Sequence, residues 1–319
     1  MDPVIPLADL QPIYSVAAVG RAREDGAARR NEGLKSWYDR MCELGGSRYI
    51  IKPSTSTAVD DLYEASPNFG AVVDDLRKYL ALALAGNEAV QFTPMLLLGE
   101  PGVGKTYFAK KLAHALGTGY EFVSMSSLTA GWVLTGASAQ WHNARPGKVA
   151  QTLIEGEYAN PVVVLDEVDK AGGDSRYDPM GALYTLLERD TASHFKDEFI
   201  DVNMDASHIL WIATANDETI IPDPILNRMN VYTIERPDID GSRRIALSVY
   251  HEILDAHRWP FPSEPSESVI DRLASVSPRD MRKLLLDAFG TARLANRDHL
   301  VPEDIDSRKL CGRKARVGF

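Results

Sequence analysis

The sequence contains little cysteine and has no long hydrophobic run. Its 319 residues include two cysteines, Cys42 and Cys311, which are too few for a framework of several disulfides. This scarcity is typical of a reducing compartment, so we expect a cytoplasmic protein. The longest apolar runs have only a few residues, such as Met95–Leu98, whereas a membrane-spanning helix needs about 20. Residues 1–6 lack the basic and apolar stretches of a secretory signal, and we expect neither a signal peptide nor a membrane segment.

The sequence also lacks an excess of positive charge. Lys and Arg together number 35 and Asp and Glu number 45, which gives a formal net charge of −10. This acidic balance argues against bulk binding to nucleic acid or to an anionic membrane. Local basic clusters remain at residues 21–35 and in the C-terminal tail. A tail of this kind is usually solvated, but it can also bind nucleic acid or an acidic partner. The basic residues of the tail are Arg308, Lys309, Arg313, Lys314 and Arg316.

The overall composition is that of a folded protein with more than one domain. Apolar residues make up 45% and charged residues 25%, and the length fits about two domains. Residues 1–60 are an N-terminal segment of uncertain fold, and residues 52–57 read as a linker, because proline and small polar residues disfavour packed elements. We expect an α/β core over residues 61–237 and a helical domain with a basic tail over residues 238–319.

Short apolar runs alternate with helical patterns in the central part of the chain. Residues 95–98, 162–165 and 209–214 are apolar on both faces, which favours strands of a buried parallel sheet. Helical spacing of apolar residues is found at 71–85, 107–116, 149–158 and 180–189. Beyond residue 237 only helical patterns remain, at 242–257, 266–275, 279–295 and 302–310. The sequence therefore predicts an α/β fold with a parallel sheet flanked by helices, followed by a small C-terminal helical domain.

A glycine-rich motif follows the first predicted strand and begins a predicted helix. It matches G-x-x-x-x-G-K-[ST] at every position, and this context is typical of a phosphate-binding loop. The residues are Gly99, Glu100, Pro101, Gly102, Val103, Gly104, Lys105 and Thr106, followed by Tyr107. Glycines let backbone N–H groups surround phosphates, and the helix N-terminus adds positive partial charge. We expect ATP here, with Lys105 at its terminal phosphates and Thr106 as a ligand of Mg²⁺.

An acidic pair ends the second predicted strand. Asp166 and Glu167 follow a buried apolar run, as in a Walker B element. Asp166 would bind Mg²⁺, and Glu167 would polarise the water that attacks the γ-phosphate. Asp169 extends the acidic cluster, although a helix cap or a solvated charge explains it equally well.

With these motifs the chain resembles the AAA+ family of ATPases. Residues 213–216 end the third predicted strand as a sensor 1 segment does, which implies that Asn216 orients the attacking water. Residues 225–229 resemble the arginine-finger segment, in which Arg228 would reach the γ-phosphate bound by a neighbouring subunit. A turn-forming Asn and a surface Arg are the structural alternatives.

The resemblance extends to two further contacts with nucleotide. Residues 277–282 resemble sensor 2, which implies that Arg279 contacts nucleotide bound by its own subunit, with Arg282 as the competing choice. Phe69 and Gly70 resemble the segment beside the adenine pocket, although Phe69 also fits a core position.

Within the AAA+ family, residues 64–300 look like the ATPase module of Lon-type proteases. Trp141 and His142, followed by a Pro-Gly-Lys turn, resemble the pore loop that grips substrate. His142 and Asn143 replace the usual aliphatic residue and glycine after the aromatic. Trp132 is the second choice for grip, and Trp141 could instead pack under the loop. Residues 172–178 resemble a second pore loop that would use Arg176 or Tyr177.

The resemblance implies a ring-forming ATPase, expected as a hexamer, that converts ATP and water to ADP and phosphate with Mg²⁺. We expect it to translocate, unfold or remodel a polypeptide, with a separate protease or adaptor as a possible partner. Because this chain ends at Phe319, we do not expect it to carry the Ser-Lys protease domain of Lon or to cleave peptides by itself. The alternative is a DNA-acting AAA+ motor or loader. A scaffold that binds nucleotide without hydrolysis is disfavoured because the full set of hydrolytic residues is present.

Overall fold

The computed structural model describes residues 7–127, 131–141, 143–171 and 180–306. The strands are β1 Leu7–Pro12, β2 Ser47–Lys52, β3 Met95–Leu98, β4 Tyr120–Ser124, β5 Val162–Asp166, β6 Phe195–Lys196, β7 Asn203–Met204, β8 Leu210–Ala215 and β9 Asn230–Thr233. The helices are α1 Val16–Glu24, α2 Gly26–Arg30, α3 Glu32–Leu44, α4 Asp61–Ala65, α5 Gly70–Gly86, α6 Lys105–Leu116, α7 Trp132–Thr135, α8 Lys148–Glu155, α9 Leu183–Leu186, α10 Arg189–Ala192, α11 Asp223–Leu226, α12 Ile239–His257, α13 Glu267–Ala274 and α14 Pro278–Leu294. Single 3₁₀ turns are found at Pro67–Phe69, Met125–Ser127, Val168–Lys170, Glu218–Ile220 and Pro302–Asp304.

The chain forms two compact units, each built from more than one segment. In the described chain, the first unit comprises residues up to 59, 74–98 and 109–233, and the second comprises 60–73, 99–108 and 234 onwards. This division differs from the expected boundaries at residues 60 and 237. The N-terminal residues join the first unit because they share its apolar cluster, in which Val19 and Met41 are fully buried along with Leu165.

A five-stranded parallel sheet lies in the first unit, counted over the described residues. Its strand order is β4-β5-β8-β3-β9, and every neighbouring pair is parallel. The three central strands are those that the sequence predicted, because a strand covered on both faces must be apolar at every position. Helices α5, α6 and α8 are also where the helical spacing predicted them. The predicted α/β class is therefore confirmed.

The sheet-edge strands and the N-terminal two-stranded sheet were not predicted. Edge strand β4 leaves Phe122 42% exposed and edge strand β9 leaves Val231 41% exposed, so neither reads as a continuous buried run. β1 and β2 pair antiparallel as a separate two-stranded sheet. The side chain of buried Asn160 stabilises β2 with two hydrogen bonds to Ile51. Its Oδ1 accepts the N–H of Ile51 at 2.9 Å, and its Nδ2 donates to the Ile51 carbonyl at 3.0 Å.

Two predicted helices are wrong in extent. Residues 180–189 do not form one helix, because α9 ends at Leu186 and Glu188 has an extended backbone before α10 begins. Residues 302–310 were predicted as a helix, but the described part contains only the 3₁₀ turn Pro302–Asp304. The Asp304 carboxylate accepts the N–H of Val301 and pairs with Arg297, which stabilises this turn.

The second unit contains the predicted C-terminal helices. α12, α13 and α14 bury an apolar cluster of their own, which includes Tyr250, Leu285 and Phe289. α14 begins with Pro278 after an extended Ser277, because proline suits the first helical position. None of the helices in the described residues is long and apolar enough to cross a membrane.

Candidate nucleotide site and substrate loop

The phosphate-binding loop connects β3 to α6 and belongs to the second unit. Gly102 and Gly104 have φ values of +89° and +104°, a backbone region that side chains rarely adopt. A Cβ on Gly99 would lie 2.3 Å from the carbonyl oxygen of Ile234. The motif therefore needs glycine at all three positions, and the strand before it and helix after it are as the sequence predicted.

Lys105 begins α6 and is 8% exposed. Its ammonium turns back into the loop, where it donates to the carbonyl oxygens of Gly99 and, at 3.1 Å, Glu100. Phosphate oxygens are stronger acceptors for an ammonium than these neutral carbonyls. The loop thus holds a buried cation where a phosphate would be bound, which fits a nucleotide.

Phe69 packs beneath the loop as a core residue. It is 1% exposed and stacks on Phe108, with ring centroids 4.4 Å apart and planes 5° apart. A Cβ on Gly104 would lie 3.8 Å from the Phe69 ring. Asn68 donates to the carbonyls of Val103 and Glu235 at 3.2 and 3.0 Å. Phe69 therefore supports the loop, which is the alternative that the sequence left open, and Gly70 begins α5.

The structure distinguishes the two candidate sensor 2 arginines on α14. The Cβ of Arg279 lies 3.8 Å from the position a Cβ would take on Gly102 of the loop. Arg279 makes no hydrogen bond or ion pair with any residue that the structure describes. Arg282 instead pairs with Glu252 at 3.5 Å. Arg279 is thus the exposed cation beside the phosphate-binding loop.

The remaining residues of the motif lie at its surface or in the first turn of α6. Glu100 is exposed and pairs with Arg236 at 2.6 Å. Pro101 is exposed and Val103 is buried. Thr106 and Tyr107 are half-buried in the first turn of α6. The Tyr107 hydroxyl donates to the Glu252 carboxylate. Burial is the larger cause that raises the pKa of Tyr107, and this hydrogen bond raises it further.

The acidic pair is in the first unit, where the ends of β5 and β8 are joined by one hydroxyl. Thr214 donates to Oδ1 of Asp166 at 2.8 Å and accepts the backbone N–H of Glu167 at 3.0 Å. Glu167 has φ +56° and ψ +52°, a left-handed conformation that is uncommon outside glycine. The Glu167 carboxylate forms an ion pair with Lys170. Thr214 was not predicted as a site residue, because a threonine in a buried strand has no distinguishing sequence pattern.

Asp169 is neither a solvated charge nor a helix cap. It is 8% exposed, and its Oδ2 accepts the backbone N–H groups of Asn216 and Asp217 at 3.1 and 3.2 Å. Its Oδ1 is buried without a hydrogen-bond partner among the described residues. Asp169 thereby fixes the backbone that carries Asn216. The sequence missed this role because the two partners are 47 and 48 residues away in the chain.

Arg228 lies after α11, two residues before β9 begins. Its guanidinium pairs with Glu188 at 2.9 Å, lies 5.8 Å from the centroid of the Tyr184 ring and donates to the carbonyl of Pro224. These contacts keep the Arg228 side chain 27% exposed.

Arg228 and the acidic pair lie at opposite ends of the strands of the same sheet. Asp166 is the last residue of β5, whereas Arg228 precedes the first residue of β9, Asn230. Because all strands of this sheet are parallel, their N-terminal ends lie together on one side of the sheet and their C-terminal ends lie on the opposite side. A strand of four residues spans about 13 Å at 3.3 Å per residue. The backbone of Arg228 therefore lies at the opposite end of the strands from the acidic pair of its own chain.

The predicted substrate loop also belongs to the first unit. Trp141 is 50% exposed, and its ring meets the Trp132 ring edge-to-face with centroids 5.3 Å apart. Trp132 is half-buried. His142, the predicted second loop with Arg176 and Tyr177, and the basic residues of the tail lie outside the described residues.

Comparison with known proteins identifies a family that the central part of the chain resembles. The family described as ATPase family associated with various cellular activities (AAA) matches residues 95–235. Over these residues the chain is similar to the AAA family. The match includes the phosphate-binding loop, the acidic pair, Asn216 and Arg228.

The curated proteins that are similar to this chain include Lon proteases. Lon protease from Methanosarcina barkeri is 33% identical over 260 residues, which cover 78% of this chain and 32% of the relative. Lon protease 2 from Sorangium cellulosum is 35% identical over 185 residues, which cover 56% of this chain and 23% of that protein. The resemblance to one part of Lon is therefore confirmed, and the chain spans less than a third of the length of these relatives.

Solved structures agree on the fold. The S. cerevisiae Hsp104:casein complex in its extended conformation matches with a TM-score of 0.61 and 17% identity, over 88% of this chain and 52% of that one. At this identity the match supports the AAA+ fold alone.

Proposed function

We propose that this protein is an ATPase that hydrolyses ATP to ADP and phosphate and uses the reaction to move a polypeptide. The family of residues 95–235 and the geometry of the loop support nucleotide binding. Backbone N–H groups of the loop and Lys105 bind the phosphates, and Arg279 adds a second cation beside them. Hydrolysis follows from the residues at the ends of β5 and β8.

Two residues are suited to hold Mg²⁺, which would screen the phosphate charge and orient the phosphates. Thr106 supplies a hydroxyl and Asp166 a carboxylate, and both are oxygen ligands of the kind that Mg²⁺ prefers. The Thr214 hydroxyl binds Oδ1 of Asp166, which orients the carboxylate.

Glu167 and Asn216 are suited to the attacking water. Glu167 is the general base, because it follows the Mg²⁺ ligand directly and its backbone is fixed by Thr214. Asn216 hydrogen-bonds the water, and Asp169 fixes its backbone position. The Lys170 ammonium forms an ion pair with the Glu167 carboxylate in this structure. Glu167 must therefore exchange Lys170 for the attacking water before it acts as a base.

The position of Arg228 is the observation that supports a ring. Arg228 lies at the end of the strands opposite the acidic pair. It would therefore stabilise the developing charge on a γ-phosphate only if that phosphate is bound by another subunit. Such an arginine contributes roughly 10³–10⁵ to the rate in ATPases and GTPases. We therefore propose a closed homo-oligomer, most simply a hexamer, in which Arg228 completes the neighbouring site.

The exposed Trp141 supports a polypeptide as the substrate. A flat aromatic surface held on a polar loop contacts side chains of any sequence without requiring a specific hydrogen bond. In a closed ring these loops would face one another and grip an extended chain. A separate protease or adaptor would act before or after this step.

Steady-state ATP turnover with and without an unfolded polypeptide tests this function. We expect an unfolded protein such as carboxymethylated casein to raise turnover in the wild type. Trp141→Ala should bring the ratio of stimulated to basal turnover close to one, because the aromatic contact is lost. Trp141→Phe is the matched control, since it keeps an aromatic face and should keep the stimulation.

Two results would contradict the proposal. If polypeptide still stimulates ATP turnover in Trp141→Ala, the loop does not grip the substrate through Trp141. Stimulation by DNA and not by polypeptide would favour the DNA-acting alternative, which the net charge of −10 disfavours.

A further inference from the structure

The loop that carries Trp141 has a narrow neck at its base. There the outgoing limb, which precedes the loop, runs beside the returning limb, which follows it. The two limbs meet at Gly136 and Gly147, which are both buried. A Cβ on Gly147 would lie 2.2 Å from the carbonyl oxygen of Leu134 and 2.3 Å from the backbone nitrogen of Gly136. The limbs therefore pack backbone against backbone, with no space for a side chain between them.

Asp197 and its neighbour contact both limbs of this neck. Oδ2 of Asp197 accepts the N–H of Gly147 at 2.8 Å on the returning limb. On the outgoing limb, the N–H of Glu198 donates to the carbonyl of Thr135 at 2.8 Å. A Cβ on Gly136 would lie 2.3 Å from Oδ1 of Asp197, so the carboxylate fits only against glycine.

The Asp197 carboxylate is fully buried without a cation. It is 0% exposed, and its Oδ1 accepts the N–H groups of Phe199 and Ile200 at 2.9 and 3.0 Å. No lysine, arginine or histidine within the described ranges forms an ion pair with it. Burial raises the pKa of Asp197 to about 6, and Glu198 is the charged neighbour that adds to this rise. A buried carboxylate of this kind costs stability unless its hydrogen bonds compensate, and here three backbone donors do so.

We propose that Asp197 is a positioning residue that holds the neck of the loop closed and so presents Trp141 to the substrate. This role rests on the proposed grip by Trp141, but the closed neck itself is independent of it. The carboxylate acts through its bond to Gly147, the point at which the returning limb enters α8.

Asp197→Asn removes that bond selectively. An amide has a single oxygen, and keeping it on Phe199 and Ile200 preserves two of the three hydrogen bonds. The amide nitrogen then faces the N–H of Gly147, so two donors oppose each other. The side-chain volume is nearly unchanged, and the returning limb should separate from the neck.

Two further variants separate this effect from a general loss of fold. Gly147→Ala opens the neck from the other side, because its Cβ overlaps the Leu134 carbonyl, although its φ of −72° suits alanine. Asp201→Asn is the matched control. It makes the same chemical change four residues away, at a side chain that is 73% exposed, and asparagine tolerates its φ of +54°.

Cleavage of the native protein by chymotrypsin at the peptide bond after Trp141, followed by mass spectrometry, reports on the neck directly. We expect cleavage there to be roughly tenfold faster in Asp197→Asn and Gly147→Ala, which is the effect of losing one hydrogen bond to a charged group. Cleavage at other sites, the thermal midpoint and the control variant should change little. Stimulation of ATP turnover by unfolded polypeptide should fall in the same two variants, while basal turnover stays within about twofold.

The outcomes distinguish this inference from the proposed function. An unchanged cleavage rate in Asp197→Asn would overturn the role of Asp197, whatever happens to turnover. Faster cleavage throughout the protein would also overturn it, because that result indicates general unfolding. Faster cleavage confined to Trp141, in a protein whose wild type shows no polypeptide stimulation, would support the closed neck and contradict the grip.

Discussion

Thr214 shows how one buried hydroxyl orients two functional residues. It donates to the Asp166 carboxylate and accepts the backbone N–H of Glu167, and it is 1% exposed, so water has little access to replace it. The hydroxyl thereby couples Asp166, the proposed Mg²⁺ ligand, to the left-handed backbone of Glu167. An uncommon backbone conformation at a functional residue persists only when surrounding contacts enforce it.

Replacing this hydroxyl should impair hydrolysis more than nucleotide binding. We expect Thr214→Val to lower kcat for ATP roughly 10- to 100-fold, because Asp166 and Glu167 lose their common partner while the side-chain shape is kept. KM should change less, since the phosphate-binding loop is untouched. Steady-state ATP turnover measures both constants. Thr214→Ser keeps the hydroxyl and should retain most of the activity, and equal kcat values in the two variants would contradict this role.

Residues of this kind mark the limit of prediction from sequence. Asp166 and Glu167 could be predicted because they follow an apolar strand in a recognised motif. Thr214 and Asp169 could not, because their partners are backbone groups or side chains at least 47 residues away. Asp197 was missed for a related reason, since its partners are backbone N–H groups that tertiary packing brings together.

At the scale of elements, burial decided which strands could be predicted. β3, β5 and β8 are covered on both faces, so their sequences are continuous apolar runs. β4 and β9 are edge strands and expose Phe122 and Val231, which weakens the pattern. The break between α9 and α10 was missed because Glu188 turns out of a helical pattern to pair with Arg228, a contact that local sequence does not encode.

Helix α14 permits a paired test of its two arginines. Arg279 lies beside the phosphate-binding loop without a partner in the described chain, whereas Arg282 pairs with Glu252 at the surface. We expect Arg279→Ala to raise KM for ATP roughly tenfold, as one lost phosphate contact would, and Arg282→Ala to have a smaller effect because exposed ion pairs contribute little. Nucleotide titrations of both variants measure this. A larger effect from Arg282→Ala would reassign the sensor 2 role.

At the scale of the whole molecule, the parallel sheet separates two groups of residues that the proposed reaction needs. The sheet has the acidic pair at its strand ends and Arg228 before a strand start, at the opposite end of the strands. In the proposed ring, a heterologous contact of the kind that closes rings would place Arg228 of one subunit against the acidic pair of the next. The active species that we propose is an assembly in which each site takes residues from two copies.

Mixing two inactive variants tests this claim most directly. Arg228→Ala lacks the arginine but keeps its acidic pair, and Glu167→Gln has the opposite defect. Each alone should lose most ATP turnover, by factors of roughly 10²–10⁵. In an equal mixture with random assembly, about a quarter of the interfaces join an intact Glu167 to an intact Arg228, so turnover should recover to about a quarter of the wild-type value.

The matched control mixes Arg228→Ala with the double variant that carries both substitutions. That mixture contains no intact Arg228 and should stay inactive. Recovery in the first mixture but not in the control is the result expected if Arg228 completes the site of a neighbouring subunit. No recovery in the first mixture, once exchange of subunits has been demonstrated by cross-linking, would show that each chain hydrolyses ATP by itself and would contradict the ring.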